Sequence, residues 1–231
     1  VHQVTAMKLD YDFDTDKYEI TDIKLFDRGF DFYAPQSFED ESGRRILIGW
    51  MGMPDAEEEY TNKTIDEGWQ HCLTVPRELR VKDGKIFQYP AKELERLRKE
   101  KTILDDEKSI VEVRVEVNEG FDLLIEDIAV TDRSFQISMG GQMLFKYENE
   151  IAEIGFSEIA GAGRNKRKAK VSELNNIRIL ADTSAVELYL NDGEIVFSTR
   201  YYPDREDLQL KVKGGKFRGN LWNLRKMIFT K

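Results

Sequence analysis

Alternation of apolar and polar residues with a period of two constrains this chain more than any other feature. Val111, Val113, Val115 and Val117 fall on one side of an extended strand, with Glu112, Arg114 and Glu116 on the other. Val186, Leu188 and Leu190 alternate in the same way with Glu187, Tyr189 and Asn191. Successive side chains of a strand face opposite sides, so these runs predict β-structure rather than helix. Turn signals punctuate them. Asn191-Asp192-Gly193 separates AVELYL from EIVFST, and Lys82-Asp83-Gly84 separates LTVPRELRV from KIFQYP. Both end in Asp-Gly, which tolerates the positive φ of a tight hairpin.

One stretch breaks the rhythm. Pro90 opens a run of helix formers through Lys99, with Leu94 and Leu97 three apart, and Pro is favoured at a helix start. It predicts a short linker helix, assigned to residues 91–103, between a first β region over 1–90 and a second over 104–231. The second region offers strand candidates at 110–117, 121–128, 134–139, 143–148, 151–157, 167–172, 176–181, 185–190, 194–200 and 208–213, with another near 221–229. Short strands at regular spacing predict an all-β sandwich or barrel, and a region of this size suits a sandwich. The first region has aromatic-rich strands with no sign of how its sheet would close. Open apolar strands are an aggregation liability, so further upstream sequence is expected, and a first residue of Val1 rather than Met fits that expectation.

Composition narrows the function classes. With 40% hydrophobic and 34% charged residues, a soluble globular protein is expected. No apolar run approaches the roughly 20 residues of a membrane helix, and Val1-His2-Gln3-Val4 does not resemble a signal peptide. No membrane partner is expected, and the single cysteine, Cys72, favours a cytoplasmic setting. On that setting Asn62-Lys63-Thr64, which matches a glycosylation acceptor, reads as chance. A formal charge of −9 argues against nucleic acid, whose phosphates need a basic field. The run Arg164-Asn165-Lys166-Arg167-Lys168-Ala169-Lys170 goes against that balance. It reads as a solvated hairpin edge guarded by Lys and Arg, with a phosphate contact as the alternative. His2 and His71 lie far apart, and no Cys/His spacing suggests zinc. Gly161-Ala162-Gly163 lacks the strand-to-helix setting of a phosphate loop. Neither a metal nor a cofactor is expected.

Four segments in order carry a more specific signal: DRGFDFYAPQSFEDESGRRILIGWM from Asp27, GWQHCLTVPREL from Gly68, DGKIFQYPAKELERLR from Asp83, and LADTSAVELYLNDGEIVFSTRYYP from Leu180. This succession resembles the carboxy-terminal part of β-fructofuranosidase-type glycoside hydrolases, the family of sucrose-6-phosphate hydrolases, invertases and levanases. The resemblance implies a five-bladed β-propeller followed by a β-sandwich. Residues 1–90 would be the last blade with part of the preceding one, and the missing amino-terminal part of the propeller would be a partner. Such an incomplete sheet agrees with the unclosed first region, since propellers protect their edges by radial repetition.

The resemblance also implies cleavage of a fructose-containing sugar. Hydrolysis of a glycoside with retention needs two carboxyls about 5–5.5 Å apart, one as nucleophile and one as acid/base. In the family these lie in an Asn-Asp-Pro-Asn motif and a Glu-Cys motif, with a third Asp in Arg-Asp-Pro. None of the three motifs occurs in this sequence; Cys72 follows His71. No catalytic residue is therefore assigned. Glu39, Asp40 and Glu41 read as a solvated turn, Asp105-Asp106 as exposed linker, and Asp182 as part of the non-catalytic sandwich. Arg77 and Glu78 read as a structural pair on their strand. Candidate sugar contacts are Asp31 and Tyr33, which the family places near the propeller axis, and Trp50, for which core packing between blades is an equal alternative. A carboxylate accepts from sugar hydroxyls, and aromatic rings give flat apolar faces with polar tips. The competing reading of the whole is a non-catalytic carbohydrate-binding or propeller-completing module, whether a truncation, a split gene product or a decayed enzyme.

Overall fold

The computed structural model describes residues 3–52, 62–105, 110–116, 119–140, 142–203 and 207–227. His2, Asp106, Val117 and the end of the last predicted strand at 228–229 lie outside the described residues. The chain is built almost wholly of antiparallel strands.

A hairpin comes first: β1 (Thr5–Asp12) pairs with β2 (Lys17–Leu25). Its turn is held by Asp12, whose carboxylate accepts from the Asp14 amide at 2.9 Å and the Thr15 hydroxyl at 2.7 Å, the local bonding that suits Asp to turns. A five-stranded sheet follows, with β3 (Tyr33–Glu39), β4 (Arg45–Met51), β6 (Arg77–Lys82) and β7 (Lys85–Pro90) in that order and the short β5 (Cys72–Leu73) pairing with the end of β4. Consecutive strands are neighbours, as in a propeller blade. Pro35 cannot donate to the ladder, and the register of β3 against β4 shifts there, between Tyr33 and Gln36. The predicted Asp83-Gly84 turn joins β6 to β7, with φ of 51° and 71°.

Two six-stranded sheets make the sandwich. One runs β17 (Ile195–Arg200), β16 (Ala185–Leu190), β15 (Ile177–Ala181), β10 (Phe121–Val130), β19 (Gly215–Leu224), β8 (Arg98–Asp105). The other runs β14 (Lys166–Lys170), β13 (Ile151–Gly155), β12 (Gln142–Glu148), β11 (Phe135–Met139), β18 (Asp207–Lys213), β9 (Ile110–Glu116). Val115, Leu123, Phe135, Phe145, Leu188 and Phe197 are among the residues that fill the space between the sheets. Each of the ten predicted strands, and the eleventh near 221, overlaps one of these elements, with ends that differ by a few residues, because their alternation records one face on the core. The basic run forms β14, an edge strand; Lys166 and Lys168 pair with Glu153 at 3.2 and 3.1 Å.

The linker differs from expectation. Only Lys92–Leu97 is helical, as a single 3₁₀ segment. Residues 98–105 form β8, which extends the first sandwich sheet by pairing with β19, Lys101 opposite Trp222. A short isolated helix is marginal, whereas an unpaired β19 would leave a row of open backbone groups. Pairing overrides the helix-forming composition of this segment.

Strands β15, β16 and β17 are buried on both faces. Their inner side chains join the sandwich core, and their outer ones, Leu180, Tyr189 and Val196, pack with Val75 and Tyr89 of the blade region. The blade thus forms a third layer. Contact is close at Gly193, which has φ +86° and would bring a Cβ within 1.8 Å of the Gln88 carbonyl. Main-chain bonds cross too, from the Arg28 amide to the Val196 carbonyl (2.8 Å) and from the Asp31 amide to the Ser198 carbonyl (3.0 Å).

Candidate functional site

Charged side chains lie deepest between blade and sandwich. Arg77, Arg164, Arg178 and Arg200 are fully buried. Burying a guanidinium is costly unless it is paired and hydrogen-bonded; Arg77, Arg164 and Arg178 each meet a carboxylate, while Arg200 donates to neutral oxygens of Ser184, Gln70 and Thr64. Arg77, on β6, does not pair with Glu78. Neighbours on a strand point to opposite faces, so Glu78 goes outward to Arg80, at 2.8 Å. Arg77 goes inward, where Nη1 reaches Asp27 and Gln88, each at 3.1 Å, and Nε reaches Glu187 and Tyr189, also at 3.1 Å. Burial opposes the Arg77 charge, but Tyr189, Glu187 and Asp27 more than offset it and raise its pKa. Burial likewise drives the Tyr189 hydroxyl well above its ordinary pKa, so it serves as a donor, to Glu187 at 2.6 Å.

Asp31 belongs to a second network, and this corrects its expected role. Its side chain is fully buried. Arg164 grips it with two bonds, Nε to Oδ2 at 2.6 Å and Nη2 to Oδ1 at 2.8 Å. The Arg200 amide donates to Oδ2 at 2.8 Å, and the Thr199 hydroxyl at 3.3 Å. A carboxylate saturated in this way has no face for a sugar. Asn62 is drawn into the same cluster, accepting from Arg164 at 2.9 Å and Tyr202 at 3.2 Å. Its burial leaves no room for a glycan, which agrees with reading its motif as chance. Arg200 reaches back to the blade region, to the Gln70 carbonyl at 2.8 Å, and stacks 5.0 Å from the Trp69 ring. Arg178 pairs with Asp122 and lies over Tyr89 at 5.2 Å.

Tyr33 and Trp50 are placed together. They are directly opposed partners of β3 and β4, and Leu73 of β5 opposes Trp50 on its other side. Directly opposed residues share a face, so the three form one row. Tyr33 and Trp50 are half-buried and Leu73 is exposed. The His71 ring meets Trp50 edge to face, with centroids 4.8 Å apart. Leu73 belongs to the GWQHCLTVPREL segment, but only strand register sets it opposite Trp50; His71, just before β5, carries no motif signal and joins through its ring contact. The result is a row of apolar and aromatic side chains at one edge of the blade.

Nucleophilic or acid/base chemistry finds little support in the residues around it. Asp27, Asp31 and Glu187 are locked by arginines and amides. Burial pushes the Cys72 thiol up to about 11, leaving it protonated near neutral pH. Among the described residues no cluster of His, Cys, Asp and Glu could hold a metal ion.

Comparison with known proteins fits this architecture. The profile of the glycosyl hydrolases family 32 N-terminal domain matches residues 1–90, and that of the glycosyl hydrolases family 32 C terminal matches residues 93–224. The sucrose-6-phosphate hydrolase of Bacillus subtilis (strain 168) is 38% identical over 201 residues, spanning 85% of this chain and 41% of that protein. That of Staphylococcus xylosus is 34% identical over 215 residues, spanning 87% and 43%. The chain thus covers about two fifths of the length of these curated relatives. In fold, the solved sucrose-6-phosphate hydrolase of Lactobacillus gasseri superposes with a TM-score of 0.81 at 22% identity, over 96% of this chain and 48% of that one. A β-fructofuranosidase of Bombyx mori does so with 0.76 at 20% identity, over 97% and 47%. With its blade and its sandwich each matched in order, the chain belongs to glycosyl hydrolase family 32.

Proposed function

We propose that this chain supplies the carboxy-terminal part of a retaining glycoside hydrolase acting on β-fructofuranosidic bonds in sucrose, sucrose 6-phosphate or fructans. The observation that carries the reading is the identity of 38% to a sucrose-6-phosphate hydrolase across 85% of the chain. On this reading Tyr33 and Trp50 form one wall of the sugar pocket, with Leu73 and His71 extending it. The sandwich buttresses the blade through the buried arginines. The nucleophile and the acid/base come from sequence outside these 231 residues. Incubation of the 231-residue chain with sucrose is expected to release no glucose or fructose above a buffer control. Turnover by the isolated chain would overturn the assignment of catalysis to other sequence.

A second reading, a module that completes a propeller supplied by another polypeptide, is favoured by one observation. The β1–β2 hairpin exposes Met7 (57%), Phe13 (89%) and Ile23 (57%), and Val81 of the blade is 75% exposed. Met7 and Ile23 are directly opposed on the hairpin and share one exposed face, and exposed apolar surface of that kind marks an interaction site.

A further inference from the structure

Asp-Gly occurs twice in the chain, at Asp83-Gly84 and at Asp192-Gly193, and the fold treats the two pairs in opposite ways. Both aspartates have positive φ, 51° and 57°. Asp192 is held. Its amide donates to Asn176 Oδ1 at 2.9 Å, and its own Oδ1 accepts from Asn176 Nδ2 at 3.2 Å. Gly193, which follows, is buried against the Gln88 carbonyl with no room for a Cβ. Asp83 and Gly84 are in the other situation. They form the whole loop between β6 and β7, since Lys82 and Lys85 on either side pair with each other, and both are exposed. Neither the Gly84 amide nor the Asp83 carboxylate enters a hydrogen bond among the described residues. Only the tip of Lys8 comes near the place where a Gly84 side chain would stand, at 3.7 Å.

We propose that Asp83 is a site of spontaneous isoaspartate formation, and that Asp192 is protected from the same reaction by the fold. The Gly84 nitrogen attacks Cγ of Asp83, forming a C–N bond as the nitrogen loses its proton and one carboxyl oxygen leaves as water. Water then opens the five-membered imide. Opening at Cγ restores aspartate; opening at the backbone carbonyl leaves Gly84 joined through Cγ and frees an α-carboxylate. No oxidant, reductant or cofactor enters. Glycine has no side chain to hinder the approach of its nitrogen, and an exposed loop tip can rotate without opening the ladder behind it. The product carries one more methylene in the main chain, so it no longer matches the tight two-residue turn that fixes the register of β6 against β7. Arg77 and Gln88, bonded at 3.1 Å in the junction with the sandwich, lie on the same hairpin. The freed α-carboxylate is the group that isoaspartyl methyltransferases esterify with S-adenosylmethionine. The inference needs no assumption about glycoside hydrolysis.

Ageing the 231-residue chain in warm neutral buffer for several weeks tests it. Peptide mapping with electron-transfer fragmentation, which tells the two linkages apart, locates the isoaspartate. Methyl transfer from S-adenosylmethionine by an isoaspartyl methyltransferase counts it independently. In the folded chain isoaspartate is expected to form at Asp83 about tenfold or more faster than at Asp192, because the bonds and packing that hold Asp192 must open first. In denaturant the two rates are expected to converge, Asp192 rising to meet Asp83. Asp83→Asn keeps a residue that tolerates positive φ and is expected to form isoaspartate several-fold faster, ammonia leaving in place of water. Asp83→Glu, whose imide would be a slower-closing six-membered ring, is expected to remove most of the methyl acceptance. Absence of isoaspartate at Asp83 in the aged folded chain would overturn the proposal. So would formation at Asp192 as fast as at Asp83 in the folded chain, or methyl acceptance that survives Asp83→Glu unchanged.

Discussion

Asp31→Asn is the most informative single change. Arg164 donates to Asp31 through both Nε and Nη2, and the substitution removes that carboxylate charge from beside the buried guanidinium. Asn62 and the Gly161 carbonyl still accept from it, but neither carries charge. An asparagine keeps one acceptor oxygen and turns an NH₂ toward the donors, so at least one bond becomes a clash. Removing one partner of a buried ion pair costs about 3–5 kcal/mol. With a urea slope of about 2–3 kcal/mol/M for a chain of this size, the midpoint should fall by about 1–2.5 M. Urea unfolding followed by tryptophan fluorescence measures it, Trp50 reporting on the blade and Trp222 on the sandwich. Arg164→Met makes the complementary break, leaving Asp31 with only the Arg200 amide and Thr199 hydroxyl. In the double variant neither charge is stranded, so its cost should fall short of the sum of the two singles by about 2 kcal/mol or more. A cost for Asp31→Asn below about 1 kcal/mol, or strict additivity in the cycle, would refute the view that this pair is a buried, mutually dependent unit.

Two further outcomes follow from the same interface. Gly193→Ala should destabilise the chain by at least about 2 kcal/mol in the urea assay, because both its positive φ and the clash with the Gln88 carbonyl penalise a side chain. Cys72, whose thiol is held protonated up to about 11 by burial first of all, should react with iodoacetamide more slowly at pH 8 than a free thiol, and at the free-thiol rate in denaturant. Its raised value also fixes a sign: whatever stability this burial contributes is complete below the unfolded thiol's value of about 9 and is lost as pH rises toward about 11.

The sandwich was legible because its strands alternate, one face on the core and one on water or the blade. Legibility failed where a partner lay far along the chain. Asp31 sits in the most distinctive motif, yet its partner, Arg164, is 133 residues away, at the head of a run that otherwise forms an exposed basic edge. Nothing local separates Arg164 from Lys166. Arg77 invited pairing with its neighbour Glu78, but a strand turns adjacent side chains apart, and its carboxylate partners, Glu187 and Asp27, lie on β16 and before β3. Residues 98–105 failed for a different reason: a segment rich in Lys and Glu has helical composition, and only the open edge of β19 recruits it as a strand. Tyr33 and Trp50 share a face because of register, which their motifs carry only indirectly through β3 and β4.

The junction's chemistry bears on how the aromatic row is held. An apolar interface of the same area would hold blade and sandwich together at least as well, since a buried ion pair is weak as a source of net stability. What charged pairs add is a penalty for the wrong arrangement, because any slip leaves a guanidinium or carboxylate buried alone. Arg164 reads the position of Asp31, two residues before Tyr33, while Arg77 reads Asp27, which also accepts from the Ser198 amide at 2.9 Å. The segment leading into β3 is therefore pinned at both Asp27 and Asp31 to β17 of the sandwich. Tyr33 follows at once, with Trp50 registered against it. A sandwich that carries no catalytic carboxylate can still set the position of an aromatic wall, and it does so through the residue first expected to touch the sugar itself.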